Sequence, residues 1–79
     1  MGMILFNQAT TYDNKIFIPF KLDKNDIFDN IQEPFYRLTS KEKDRRLAIS
    51  NRIKNALLSK GYDNCDIDFW TMRIMVEID

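Results

Sequence analysis

The sequence predicts a small α+β domain, in which one long helix covers one face of a three-stranded, mostly antiparallel sheet. Two stretches carry this prediction. Residues 69–79 alternate apolar and polar side chains, which is typical of a strand with one buried face. Residues 40–60 follow a helix-capping pattern, precede a glycine and place apolar side chains at helical spacing.

Length and composition limit the classes of protein to which the chain can belong. Its 79 residues predict one domain, 1–79, and a chain of this size buries only about 60% of its unfolded surface. A single cysteine, Cys65, excludes an internal disulfide, and the absence of histidine excludes a Ser-His or Cys-His pair within one chain. We therefore expect no catalytic residue, no metal and no cofactor, and a stability that depends on packing or on a second subunit.

Charge and hydropathy bear on location and partners. The net charge is zero, which argues against binding nucleic acid through overall charge. No stretch is long and apolar enough to predict a membrane span, and a lone cysteine is typical of a reducing compartment, so we expect a cytoplasmic protein without membrane partners. Abundant Ile, Asn, Lys and Phe are typical of an AT-rich genome and favour a low-GC bacterium, its phages or mobile elements as the source.

The first part of the chain predicts a hairpin. Residues 3–9 carry apolar side chains on both faces, as central strands do. Asp13 and Asn14 tolerate left-handed backbone and favour a connecting turn. Residues 15–22 form the second strand, and Pro19, which lacks a ladder donor, predicts that this strand lies at an edge.

The connection 23–38 is predicted to hold a short helix that Asp23 or Asn25 caps and that ends before Pro34. Three apolar residues are expected to anchor this connection to the core: Phe35, Tyr36 and Leu38.

The long helix has local start and stop signals. Thr39 and Glu42 form a capping box, and Gly61 supplies a left-handed stop. A helix of this length spans roughly 30 Å, enough to cover a three-stranded sheet. Its predicted apolar face consists of Ile49, Ile53, Ala56 and Leu57, widened by Leu47 and Leu58.

The closing strand contains a change of phase. From Trp70 onward the even positions are apolar, whereas the apolar residues Ile67 and Phe69 occupy odd positions. This switch predicts a β-bulge near residues 69–70, or a bend where two segments meet. With the hairpin and the helical crossover, the predicted element order is β-β-α-β and the predicted strand order is 2-1-3.

The second face of the sheet is the main candidate for function. Odd-numbered apolar residues fall opposite the face that the helix should cover, and Met and Phe suit an adaptable protein-binding surface. Charged side chains such as that of Arg73 guard the exposed edge of the closing strand. The predicted partner-binding residues are Leu5, Phe17, Met75 and Arg73. We expect a non-enzymatic domain that binds another protein or a second copy of itself, for example a phage or mobile-element inhibitor of a host protein.

Two other functions follow from charged residues. Lys41, Arg45 and Arg52 lie within about 40° of one another on the helix, opposite its apolar face, and could contact phosphates of a nucleic acid. A metal-dependent nuclease at Asp63, Asp66 and Asp68 ranks third, because these residues also fit an ordinary solvated loop.

Overall fold

A computed structural model describes residues 3–78 and confirms the α+β class, with one α-helix and an antiparallel sheet of five strands. Residues 1, 2 and 79, which the predicted domain 1–79 includes, lie outside the described residues, as does the last residue of the predicted closing strand. The elements are β1 (Leu5–Phe6), β2 (Thr10–Tyr12), β3 (Lys15–Lys21), α1 (Ser40–Leu58), β4 (Cys65–Asp68) and β5 (Arg73–Glu77).

The strand order corrects the predicted order 2-1-3. The sheet runs β1-β3-β5-β4, and β2 also pairs with β3. The predicted first strand, 3–9, is not central. Only its residues Leu5–Phe6 pair, with the last two residues of β3, and the chain pairs with the first half of β3 at Thr10–Tyr12. The strand predicted at an edge, β3, occupies the centre instead and pairs with β5 from Lys15 to Pro19.

The break between β1 and β2 explains how Pro19 lies in a central strand. Asn7 N–H donates to the carbonyl of Pro19 at 2.8 Å. The nitrogen and carbonyl of one strand residue point to the same side, so the donor that proline lacks would also face this side. Residues 7–9 belong to neither strand, and the missing donor is therefore tolerated without a lost β3–β5 bond.

The predicted hairpin turn is confirmed at Asp13 and Asn14, but the strand that precedes it is β2 and not the predicted strand 3–9. Asp13 and Asn14 have φ of 51° and 61° and connect β2 directly to β3. Positive φ at both central residues of a two-residue loop defines the type I′ turn, whose twist matches that of the flanking strands.

The helix prediction is confirmed at both ends. The Thr39 hydroxyl accepts from Glu42 N–H, and the Glu42 carboxylate accepts from Thr39 N–H, so the capping box is complete. Gly61 has φ of 94°, and Tyr62 N–H donates back to the carbonyl of Leu57 at 3.0 Å, which closes the last turn.

The core lies between α1 and the side of the sheet that faces it, which we call the inner face. Ile53, Leu57 and Ile74 have almost no solvent exposure and form its centre. Leu47 and Leu58, expected to widen the apolar face of the helix, are instead about half exposed. The other buried members of this cluster are Ile18, Phe20, Leu22, Ile31, Ile49, Phe69 and Val76.

The connection 23–38 contains no α-helix, contrary to the prediction. It forms two single turns of 3₁₀-helix, Lys24–Asp26 and Phe35–Arg37, and Asp23 caps the first by accepting from Asn25 N–H. Leu38 is buried as expected, whereas Phe35 and Tyr36 are exposed.

Of the predicted closing strand, 69–79, only Arg73–Glu77 forms a strand, and a further strand, β4, precedes it. β4 and β5 form an antiparallel hairpin in which Asp68 pairs with Arg73, and the loop between them carries Trp70. Trp70 is 72% exposed, although its even position predicted a buried side chain. The change of phase therefore marks a bend between two segments, which was one of its two predicted causes.

Candidate protein-binding surface

Phe17 and Met75 are direct cross-strand neighbours on the side of the sheet opposite α1, which we call the outer face. They pair in the register of β3 with β5, while their sequence neighbours Ile18, Ile74 and Val76 are buried beneath the helix. Directly opposed side chains in an antiparallel pair lie about 5 Å apart at Cβ and therefore touch. Both side chains are half-buried, so the sheet alone leaves part of each in solvent.

Arg73 completes a contiguous group with these two residues. Its guanidinium carbon lies 5.0 Å from the ring centroid of Phe17, a cation–π distance. Along β5 it is two positions from Met75, and its backbone pairs with Pro19 on β3. A shallow depression of about 370 Å³ opens between these side chains and β4. The outer face thus offers an apolar centre with one cation lying over it.

Leu5 lies apart from this group. It belongs to the outer face, because it pairs with Lys21, which is on the same side of β3 as Phe17. Four positions along a strand, however, separate Lys21 from Phe17 by roughly 13 Å. The structure therefore brings together three of the four predicted partner-binding residues, and Leu5, 54% exposed, stands at the far end of the sheet.

The connection 23–38 does not cover the outer face. Its hydrogen bonds reach the helix side, where Arg46 donates to the carbonyls of Ile31 and Glu33, and the hairpin loop, where Gln32 donates to the carbonyl of Trp70. The depression beside Phe17 is lined by residues of β3, β4 and β5. Among the described residues, the chain's own long connection thus packs on the opposite side of the sheet.

Asp68 fixes the loop at one end of this surface. Its carboxylate accepts from Trp70 N–H at 2.9 Å, from Thr71 N–H at 3.3 Å and from the Thr71 hydroxyl at 2.8 Å. These bonds, the hydroxyl bond first, lower the pKa of Asp68 below its ordinary value. Asp68 is therefore a structural residue of the loop.

The three basic residues predicted to contact nucleic acid, which we call the basic ridge, lie on α1 beside the connection 23–38. Arg52 forms an ion pair with Asp26 at 3.4 Å, and Arg45 lies 4.9 Å from the ring centroid of Phe28. Lys41 is exposed at the start of the helix. Two of the three predicted phosphate contacts thus also hold the connection to α1, and nucleic-acid binding by this ridge stays a prediction.

Cys65 and the acids around it show no convergent site. In the part of the chain that the structure describes, no three His, Cys, Asp or Glu side chains gather in a way that could hold a metal ion. Cys65 is half-buried at the start of β4, and burial, then the nearby carboxylate of Asp63, raises the pKa of its thiol. A raised pKa reduces the thiolate fraction and hence the nucleophilicity of the group.

Two residues that the structure singles out, Arg46 and Trp70, are not among the predicted site residues. Arg46 lies on the helix in line with Ile49 and Ile53, and spacing could have identified it as a charged residue at a position that faces the core. Trp70 projects from the hairpin loop beside a depression of about 400 Å³, and only the phase change before it signalled an exposed loop.

No helix within residues 3–78 is long and apolar enough to cross a membrane. Comparison of the chain with family models, with curated proteins and with solved structures finds no match in any of the three.

Proposed function

We propose that this chain is a non-enzymatic domain that binds another protein through the outer face of its sheet. The observation that carries the proposal is the contiguous group of Phe17, Met75 and Arg73, which neither α1 nor the connection 23–38 covers. An apolar centre with an arginine over it resembles the composition of protein interfaces, where aromatic residues, Met and Arg are enriched.

The partner is a second copy of the chain or a different protein. A small domain with one core gains stability from a second subunit, which favours the homodimer. If the partner is a different protein, we propose that the chain is a cytoplasmic regulator from a phage or mobile element that inhibits a host protein. This version of the proposal rests on the AT-rich composition and on the absence of histidine from the sequence.

The outer face can be tested with a matched pair of variants. Phe17→Asp places a charge in the apolar centre, whereas Leu58→Asp changes a 58% exposed leucine of α1 on the other side of the molecule. Size-exclusion chromatography with light scattering should give a dimer for the wild type and for Leu58→Asp, and a monomer for Phe17→Asp, if the partner is a second copy. Far-UV circular dichroism and thermal unfolding of each variant show whether it is folded.

If the wild type is a monomer, the same variants are used as baits in lysate of the source cell. The proposal expects a protein retained by the wild type and by Leu58→Asp and lost with folded Phe17→Asp. A monomeric wild type whose captured proteins are identical for all three baits contradicts it.

A further inference from the structure

We infer that the outer edge of β4 takes up an extended, basic segment of a partner protein as an additional strand. The inference rests on the proposed function, that this domain binds another protein, and names the chemistry of the segment that it binds. Main-chain hydrogen bonds would supply affinity, and side chains at alternate positions would supply selectivity.

The first step is that β4 is a sheet edge. It ends the strand order and pairs only with β5 among residues 3–78. The opposite margin of the sheet is divided between the short strands β1 and β2 and therefore offers no continuous row of backbone groups. Residues of β4 also line three surface depressions, of about 400, 420 and 370 Å³, the first of which lies between β4 and residues 32–34 of the connection.

The second step identifies which backbone groups point outward. Phe20 N–H donates to the carbonyl of Met72 at 3.1 Å, so the even-numbered residues of β5 bond to β3 and the odd-numbered ones bond to β4. Arg73 and Met75 therefore exchange bonds with Asp68 and Asp66. The N–H and C=O groups of the alternate residues, Cys65 and Ile67, point away from β5 along the open edge.

The third step concerns charge. Asp66 and Asp68 lie on the outer face, because they pair with Met75 and Arg73. An added strand would place one of its own side chains beside each of these carboxylates, at the short spacing of cross-strand pairs. Lys or Arg at every second position is complementary to them, and apolar residues at the other positions would cover the half-buried side chains of Cys65 and Ile67.

The same acids oppose pairing of β4 with a second copy of itself. In antiparallel self-pairing, the residues whose backbone groups point outward, Cys65 and Ile67, must pair with the same residues of the second copy. The two registers that overlap the strands over three residues then place Asp66 against Asp66, or Asp66 against Asp68. Like charges directly opposite each other destabilise a sheet. The edge therefore favours a different, basic segment, whereas a homodimer would use the outer face.

The test uses two synthetic peptides, acetyl-Val-Lys-Val-Lys-Val-amide and its counterpart with Glu in place of Lys. In amide-resolved NMR titrations, the Lys peptide should shift the Cys65 and Ile67 signals and slow their hydrogen exchange, and the Glu peptide should not. Asp66→Lys should abolish this preference, because one cation and the Asp68 carboxylate then stand side by side on the outer face of β4. Equal binding of both peptides, no binding of the Lys peptide at millimolar concentration, or shifts confined to other residues would overturn the inference.

A second pair of variants tests the backbone directly. Cys65→Pro removes an outward donor without removing a β4–β5 bond, and should weaken binding of the Lys peptide on the order of tenfold. Cys65→Ala keeps the N–H and should bind as the wild type does. If Cys65→Pro fails to fold, the comparison of Asp66→Lys with the wild type decides the question, since a preference for the Lys peptide that survives this change contradicts the inference. Phe17→Asp should retain the Lys peptide, so loss of the outer-face interaction and loss of the edge interaction are measured separately.

Discussion

The guanidinium of Arg46 lies 5.2 Å from the ring centroid of Phe69 and so joins the helix to the loop between β4 and β5. The same group donates hydrogen bonds to the carbonyls of Ile31 and Glu33 at 2.8 and 2.6 Å. One side chain thus connects α1, the connection 23–38 and the last hairpin. It satisfies two backbone carbonyls that lie outside the strands and helices.

Arg46→Ala should therefore lower the free energy of unfolding by about 1–3 kcal/mol, since it removes two charge-assisted hydrogen bonds and the ring contact. Arg46→Lys should recover less than half of this, because an ammonium lacks the planar fork that reaches both carbonyls. Urea unfolding followed by tryptophan fluorescence measures both values. Lys41→Ala, an exposed change on the same helix, should stay within about 0.5 kcal/mol of the wild type; an equal effect of Arg46→Ala and Lys41→Ala contradicts the role assigned to Arg46.

Asp68 should give the domain a measurable pH dependence. Its hydrogen bonds lower the pKa of its carboxyl in the folded state. Between the folded and the unfolded pKa, the unfolded state therefore binds more protons than the folded state. The stabilisation is complete above the unfolded pKa, near 3.8, and is lost as the pH falls through the lowered folded value. The difference in unfolding free energy between wild type and Asp68→Asn should be constant from pH 5 to 7 and shrink below about pH 4. Urea midpoints at these pH values measure it, and a difference that does not change with pH would sink this assignment. Thr71→Ala, which removes the hydroxyl bond, should reduce the same dependence.

The turn between β2 and β3 should be sensitive to the residue at position 14. Asn14 has φ of 61°, a left-handed conformation that costs a residue with a Cβ about 1–2 kcal/mol and that Asn and Gly accept most readily. We expect Asn14→Ala to destabilise the domain by about 1 kcal/mol and Asn14→Gly to have no such effect. Thermal unfolding compares the two variants with Asn64→Ala, an exposed asparagine whose φ is not positive. Equal destabilisation by both changes at position 14 would exclude backbone strain as the cause.

The helix could be predicted because its signals are local. Thr39, Glu42 and Gly61 act on backbone groups within one turn, so neighbouring residues decide where α1 begins and ends. The periodicity that identified Ile49, Ile53 and Leu57 as buried is likewise a property of one segment.

The strand order could not be predicted, because it depends on pairing between distant segments. Pro19 suggested an edge, yet the structure satisfies the same constraint by interrupting the neighbouring strand at residues 7–9. The backbone rule was sound, and the choice between the two solutions depends on which segments meet in space.

The candidate surface was partly predictable, because the face on which a strand residue lies is a local property whereas its neighbours depend on strand pairing. Odd positions correctly placed Phe17 and Met75 on one face, since period two follows from strand geometry. Their adjacency requires the register of β3 with β5, which the alternation does not give. The separation of Leu5 from Phe17 follows from the shift of β1 to the far end of β3.

The pairing of β3 with β5 joins two hairpins that are far apart in the chain, with Lys15 opposite Glu77. Each hairpin closes over a short loop, an event of microseconds, whereas bringing the hairpins together must overcome the loop-closure entropy of the long intervening segment. We therefore expect the association of these two hairpins to set the folding rate. The helix between them would then shorten the search by ordering much of that segment beforehand.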